Sequence, residues 1–287
     1  ATLHPNRTAD DRMHRRGVVS VVADVGLPHA SISVGADIDL LALAIACASA
    51  PLLAAPTDAQ PKAEPDTADQ FARLPWVVGP GKGQIGNIAV LNLKSDGRFL
   101  GPQGTERFLE LTGNLPTPNH YTLVNENGEW FAVISFDETG YVKDDEEIDA
   151  PALLKSMQEG EEESNAELKK RGQSALHLEG WHVPPHYDTA TKQLEWATRI
   201  RDDQGNISVN YTTRILGRHG YVSATLVSDP QSLDKDIIAF KEALKGFEYN
   251  SGEKYSEFKA GDHVAEIGLG ALIAGGAAAA AVKSGLL

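Results

Sequence analysis

The segment GWHVPPHYD, residues 180–188, places two histidines, an aspartate and two large aromatics within nine positions. His182 and His186 have the spacing of metal ligands on one helix face, and Asp188 is the acid beside them. Pro184 and Pro185 forbid a helix there, and no cysteine is near to complete a ligand set. An envelope hydrolase or metal-dependent enzyme built on His182, His186 and Asp188 is therefore the alternative reading. The leading one is recognition, with Trp181, His186, Tyr187 and Asp188 carried on a proline-stiffened loop. Such aromatics give large contact area with a polar tip, and prolines reduce the entropy lost when a partner docks. The competing structural role is that Trp181 and Tyr187 plug the edge of the core.

Two other patterns carry less. Gly81-Lys82-Gly83-Gln84-Ile85-Gly86 matches the dinucleotide fingerprint, but a pyrophosphate needs a helix N-terminus directly afterwards. Strand-like NIAVLNL follows instead, so the segment reads as a glycine-rich turn. The acidic run Asp144-Asp145-Glu146-Glu147 precedes a helix and reads as solvated charge favoured by the helix dipole. It lacks the alternating ligands and glycine of a calcium loop. With no Gly-x-Ser-x-Gly, no cysteine nucleophile and no carboxylate pair of defined geometry, the sequence supports no catalytic assignment. No cofactor and no metal is expected.

The elements that must position these residues are legible from periodicity. Trp130, Ala132, Ile134 and Phe136 alternate with Phe131, Val133 and Ser135. Leu194, Trp196, Thr198 and Ile200 oppose Glu195, Ala197, Arg199 and Arg201, and Ile207–Ile215 alternates likewise, with Arg214 on its polar side. Period-two alternation predicts half-buried antiparallel strands, with hairpin turns at Asn127-Gly128 and Gln204-Gly205-Asn206. Three helices are expected: Thr105–Leu111; a long, largely solvated one over Asp149–Arg171 with a Glu167–Arg171 pair; and one after Asp229-Pro230 carrying Leu233, Ile237, Phe240 and Leu244. The order lacks regular βαβ alternation, so the fold class is α+β.

Residues 40–55, LLALAIACASAPLLAA, carry no charge and have the length of a signal-peptide apolar region. Small-residue cleavage triplets follow, and a lipoprotein role for Cys47 is the weaker alternative. Residues 1–39 show no periodicity and are read as an unstructured leader or artefact, with 56–75 as a linker to a 76–260 extracytoplasmic domain. Within Val264–Val282 the only charge is Glu266. About nineteen helical residues span roughly 28 Å, the thickness of a bilayer core. That run is expected to be a transmembrane anchor touching the lipid bilayer. Gly270 with Ala274, and Ala271 with Gly275, would let another membrane protein or a second copy pack closely, and Lys283 suits a cytoplasmic flank.

Hydrophobic content of 41% and charged content of 23% are those of a folded chain. A net charge of −14 disfavours attraction to phosphate backbones, so nucleic acid is not an expected partner. The single Cys47 excludes an intramolecular disulfide.

Four segments carry a resemblance: DETGYVKDDEEIDAPALLKSMQEG, GWHVPPHYDTATKQLEWA, VNYTTRILGRHGYVSATLV and FEYNSGEKYSEFKAGDHVAEIGLGALIAGG. Through them, from about Trp76 onward, the chain resembles a bacterial family of predicted membrane-anchored proteins with a domain of unknown function. The resemblance implies a signal peptide, an extracytoplasmic domain at the inner membrane and a C-terminal anchor, and supplies no activity. The resemblance further implies continuation past Lys283 into apolar sequence, so the end at Leu287 is expected to be a truncation. The ending GRHGYVSATLV, then Leu233–Leu244, then GFEY is also similar to the PsbP-type α+β fold. Together these readings describe a partner-binding module of the cell envelope.

Overall fold

In a computed structural model of the chain, residues 67–274 are described, apart from Gly113, Leu115, Glu126, Asn127 and 171–173. The leader, the signal-like segment, residues 56–66, the Glu167–Arg171 pair and Gly275–Val282 fall outside the described structure. An eight-stranded antiparallel sheet runs in the order β1-β4-β5-β6-β10-β9-β8-β7. Its strands are β1 (Val77–Val78), β4 (Gly97–Leu100), β5 (Tyr121–Asn125), β6 (Trp130–Asp137), β7 (Leu176–Asp188), β8 (Gln193–Asp202), β9 (Ile207–Leu216) and β10 (Tyr221–Ser228). A second sheet of three strands is built from β11 (Phe247–Tyr249), β3 (Ala89–Leu93) and β2 (Gly81–Ile85). The glycine-rich motif is thus mostly strand β2, with Gly86 turning the chain at φ 54° into β3. Gly83 lies so close to Phe99 that a Cβ would sit 2.5 Å from its ring, which leaves room only for glycine.

Both faces of the large sheet are covered. On one face, helix α5 (Leu233–Leu244) and the small sheet bury Leu91, Leu93, Trp130, Ile134, Tyr211, Leu226 and Phe240 in one core. The alternation expected for β6 and β9 places their apolar sets there. The opposite face was expected to meet water and does not. Helix α2 (Pro102–Leu111) covers its β5–β6 end through Phe108 and Leu109, against Val124, Phe131 and Val133. At the β8–β9 end lie helix α3 (Ala150–Glu159), Tyr255 and a short helix α6 (Leu269–Ala274), packed on Leu194, Trp196, Leu216 and Tyr221.

Arg214, expected on a polar side, is buried beneath that second layer. Its guanidinium stands 4.7 Å from the Tyr221 ring centroid and 5.4 Å from that of Trp196. Nη1 donates to Tyr221 Oη at 3.2 Å, and that hydroxyl donates to Asp137 Oδ2 at 2.8 Å. Two ring faces and a relayed carboxylate offset the cost of burying the charge, although burial still lowers the guanidinium pKa.

The two termini of the domain depart from expectation. Thr67–Ala72 forms helix α1 inside the stretch read as linker, and Phe71 and Leu74 are buried against Phe108. The predicted helix over Val264–Val282 does not begin at Val264. Val264 bridges to Tyr141, with Tyr141 N donating to His263 O at 2.8 Å and Ala265 N to Tyr141 O at 2.9 Å. The chain turns helical only at Leu269, and Leu269, Leu272 and Ile273 enter the domain's own core. Among the described residues no helix is long and apolar enough to cross a membrane. Gly270 packs on the domain too, since a Cβ there would lie 3.3 Å from Glu146 Oε1 and 3.6 Å from Leu153 Cδ2. The long helix expected over Asp149–Arg171 is two, α3 and α4 (Glu161–Lys170), divided at Gly160.

Candidate functional site

GWHVPPHYD is the second half of edge strand β7, a 13-residue strand paired on one side with β8. Its prolines fall where an edge tolerates them, and three register shifts break the ladder with β8. The free side of the strand's first half is closed by side chains. Asn165 on α4 donates Nδ2 to Leu176 O at 2.9 Å and accepts from Leu176 N at 2.8 Å. Glu161 Oε1 accepts from Leu178 N at 2.5 Å, and Gln158 Nε2 donates to Leu178 O at 2.9 Å. The break at Gly160 sets α4 against this edge, which a single straight helix would not do. Prolines, bulges and covering helices are the devices by which sheet edges avoid pairing with other chains.

The side chains singled out in this segment take separate places. Trp181 is half-buried on the second core and donates Nε1 to Ala150 O at 3.0 Å. Tyr187 packs on the same cluster and donates to Asp144 Oδ2 at 2.8 Å. His182 faces helix α5, its Nε2 3.0 Å from Asp234 Oδ1. Asp188 accepts from the backbone N–H of Ala190 at 2.8 Å and of Thr191 at 3.4 Å, which holds the turn into β8 and lowers its pKa. His186 is exposed. Among the described residues no three His, Cys, Asp or Glu side chains converge in a metal-binding group.

The acidic run is the partner that this strand meets. Residues 141–148 lie extended with alternate side chains inward, so Asp144 and Glu146 are half-buried while Asp145 and Glu147 face water. Asp144 accepts from Lys192 Nζ at 2.7 Å, Tyr187 Oη at 2.8 Å and Tyr255 Oη at 3.0 Å. Burial pushes its carboxyl pKa up, but the three hydrogen bonds outweigh that and hold it below the ordinary value. The Tyr187 hydroxyl is correspondingly raised by burial and by its bond to Asp144. Glu146 Oε2 accepts from Gly270 N at 3.4 Å, at the start of α6.

A different part of the molecule is open. Where β3 and the start of β4 diverge from α5, a cleft of about 230 Å³ lies between the two sheets. Leu91, Leu93, Leu123, Val124 and Trp130 line it and are buried, while Lys94, Asp96, Ala239 and Glu242 line it and are exposed. Lys94 Nζ donates to Glu242 Oε1 across the rim, from the β3–β4 turn to α5. Hydrogen bonds from Lys245 and Lys94 hold the Glu242 carboxyl down to about 2. On the floor, Trp130 is 3% exposed and its Nε1–H is buried without an acceptor. Buried polar groups are nearly always paired, and this N–H is enclosed by the protein rather than presented to the cleft. Its ring is fixed edge-on to Phe240, with centroids 5.8 Å apart. In the sequence Trp130 is one apolar residue of an alternating strand, and nothing in that pattern marks its nitrogen as unpaired.

The family described as a protein of unknown function (DUF2167) matches residues 77–287. The chain belongs to this family. No curated protein matches the chain. Among solved structures, cyanobacterial PsbP (CyanoP) from Synechocystis is similar at 9% identity, over 57% of this chain and 88% of that one, with a TM-score of 0.34. A likeness of that strength bears on no argument about function. The family match covers every strand and helix described above except α1, and it takes in both the β7 edge and the cleft.

Proposed function

We propose that this domain of the DUF2167 family is a binding module of the bacterial cell envelope that holds a small ligand in the cleft between its two sheets. The observation that carries this reading is the cleft of about 230 Å³, with a buried wall from Leu91, Leu93, Leu123 and Trp130 beneath a rim of Lys94, Asp96 and Glu242. A concave, largely apolar pocket with a few polar groups at its edge is the usual form of a ligand site. At about 230 Å³ it suits a small molecule rather than a drug-sized one. The catalytic alternative on His182, His186 and Asp188 draws less support, because His182 and Asp188 are bound to different structural neighbours and His186 is exposed. The uncharged run at 40–55 supports export, which a reporter active only outside the cytoplasm and fused after Gly246 tests directly.

The binding reading is tested by ligand-observed NMR with a panel of small neutral, acidic and basic fragments on wild type and on Ala243→Phe, which fills the cleft. Fragments that bind wild type and are lost on the variant are expected. Binding that survives the substitution for every fragment places the site elsewhere and ends this reading.

A further inference from the structure

We infer that the first half of β7 is a latent strand-pairing edge that α4 holds closed, and that the partner it fits is the same edge of a second copy of this chain. The two halves of β7 are protected in different ways. In the second half Pro184 and Pro185 offer no N–H to a neighbouring strand, and two register shifts between Trp181 and His186 distort the ladder. The first half, from Leu176 to Gly180, has no proline. There the outward N–H and C=O groups of Leu176 and Leu178 are taken by Asn165, Glu161 and Gln158, in the place of a neighbouring strand.

That cover is seated without a core of its own. Helices α1, α2, α3, α5 and α6 each set an apolar side chain in a buried cluster: Phe71, Phe108, Leu153, Phe240 and Leu269. Among the described residues α4 sets none. Asn165 is its buried side chain, while Glu162, Ala166 and Lys169 are exposed. Hydrogen bonds and the Glu161 carboxylate, 3.6 Å from His177 Nδ1, hold it to the sheet. A helix that buries no apolar face has little to oppose its release. An incoming strand exchanges the side-chain bonds at Leu176 and Leu178 for backbone bonds, so no hydrogen bond is lost and three side chains regain freedom.

A second copy fits the edge by its own chemistry. His177 and Glu179 are exposed on one face of β7, where Glu179 accepts from Arg199 and Arg201. Antiparallel pairing about Leu178 sets the Glu179 carboxylate of one copy opposite the His177 imidazole of the other, an acceptor facing a donor on both sides of the two-fold axis. Such a contact closes at two copies, because it uses up the half of β7 that prolines leave free.

The experiment compares the full chain in mild detergent with the Glu161→Ala/Asn165→Ala double variant, by sedimentation equilibrium and by amide exchange across a range of protein concentration. The double variant is expected to reach twice the wild-type mass as concentration rises. Its Leu176 and Leu178 amides, open when dilute, should regain protection along with that doubling. Leu178→Pro in the same background removes an outward N–H and spares the ladder with β8, so it should abolish the doubling. Asn165→Asp keeps the bond from Leu176 N and loses the donor to Leu176 O, so it gives a weaker doubling even if the double variant fails to fold. A wild-type mass at every concentration with both amides open overturns the inference. So do open-ended aggregates, protection that ignores concentration, or a doubling that survives Leu178→Pro, each of which places the contact elsewhere.

Discussion

Strand β7 and the cleft beside Trp130 lie on opposite sides of the large sheet's midline and differ in what they leave open. The β7 edge is crowded with side chains that could do chemistry, yet almost every one is occupied. Asn165, Glu161 and Gln158 take the backbone groups of Leu176 and Leu178, and Asp144 gathers Tyr187, Lys192 and Tyr255. The cleft has a buried wall of leucines and one tryptophan beneath a rim of Lys94, Asp96 and Glu242, and it encloses space that no described side chain fills. A satisfied polar group contributes to the fold, while an unsatisfied one costs the full desolvation of that group. Residue type alone therefore misleads about where a ligand belongs. Unfilled space at a buried wall is the feature that sets the cleft apart.

The contrast predicts a graded series of stability effects. The largest belongs to α6, which closes the layer over β8 and β9. Leu272→Ala removes a side chain 1% exposed and is expected to cost about 2–5 kcal/mol, measured by denaturant unfolding. A change below about 0.5 kcal/mol would mean that α6 is not part of the core. Next, Asn165→Ala strips both edge groups of Leu176 of their partners, at about 1–3 kcal/mol. The same variant should lose amide protection at Leu176. Unchanged protection there would show that the edge is not closed by α4.

Tyr187→Phe is expected to cost about 1 kcal/mol, since Asp144 keeps Lys192 and Tyr255. Here pH sharpens the test. The Asp144 carboxyl is held below its ordinary value in the folded state, so its contribution is fully present above the unfolded value and lost as pH falls through the folded one. The gap between wild type and Tyr187→Phe should therefore shrink on acidification below about pH 4. A gap that is constant down to the acid transition would detach Tyr187 from Asp144. The smallest effect is at the cleft rim, where Glu242→Gln exchanges exposed, solvent-screened ion pairs and should leave the denaturant midpoint unchanged.

Much of this architecture is legible in the sequence, and its failures share one physical cause. The alternation of β6, β8 and β9 and the spacing of Leu233, Phe240 and Leu244 locate strands and helix because one face of each is strongly apolar. Period-two reasoning then assigns the polar alternates to water. Arg214 and Asp144 break that inference because the rings of neighbouring strands cover the one, and hydroxyls and a lysine distant in sequence bind the other. The run from Val264 looked like a membrane helix on composition, yet the bridge to Tyr141 and the packing of Leu269, Leu272 and Ile273 belong to tertiary structure. GWHVPPHYD, read as a loop on account of its prolines, is an edge strand, the one sheet position where prolines cost little. The Trp130 nitrogen was invisible for the complementary reason: lacking a partner is a property of surroundings, which no local pattern encodes.

The most direct test of this contrast is a crystal structure of the domain soaked with benzamide. The account predicts the ring in the cleft against Leu91, Leu123 and Ala243, and no ordered molecule along β7. Benzamide ordered beside Trp181, His186 and Tyr187, with the cleft empty, would contradict it.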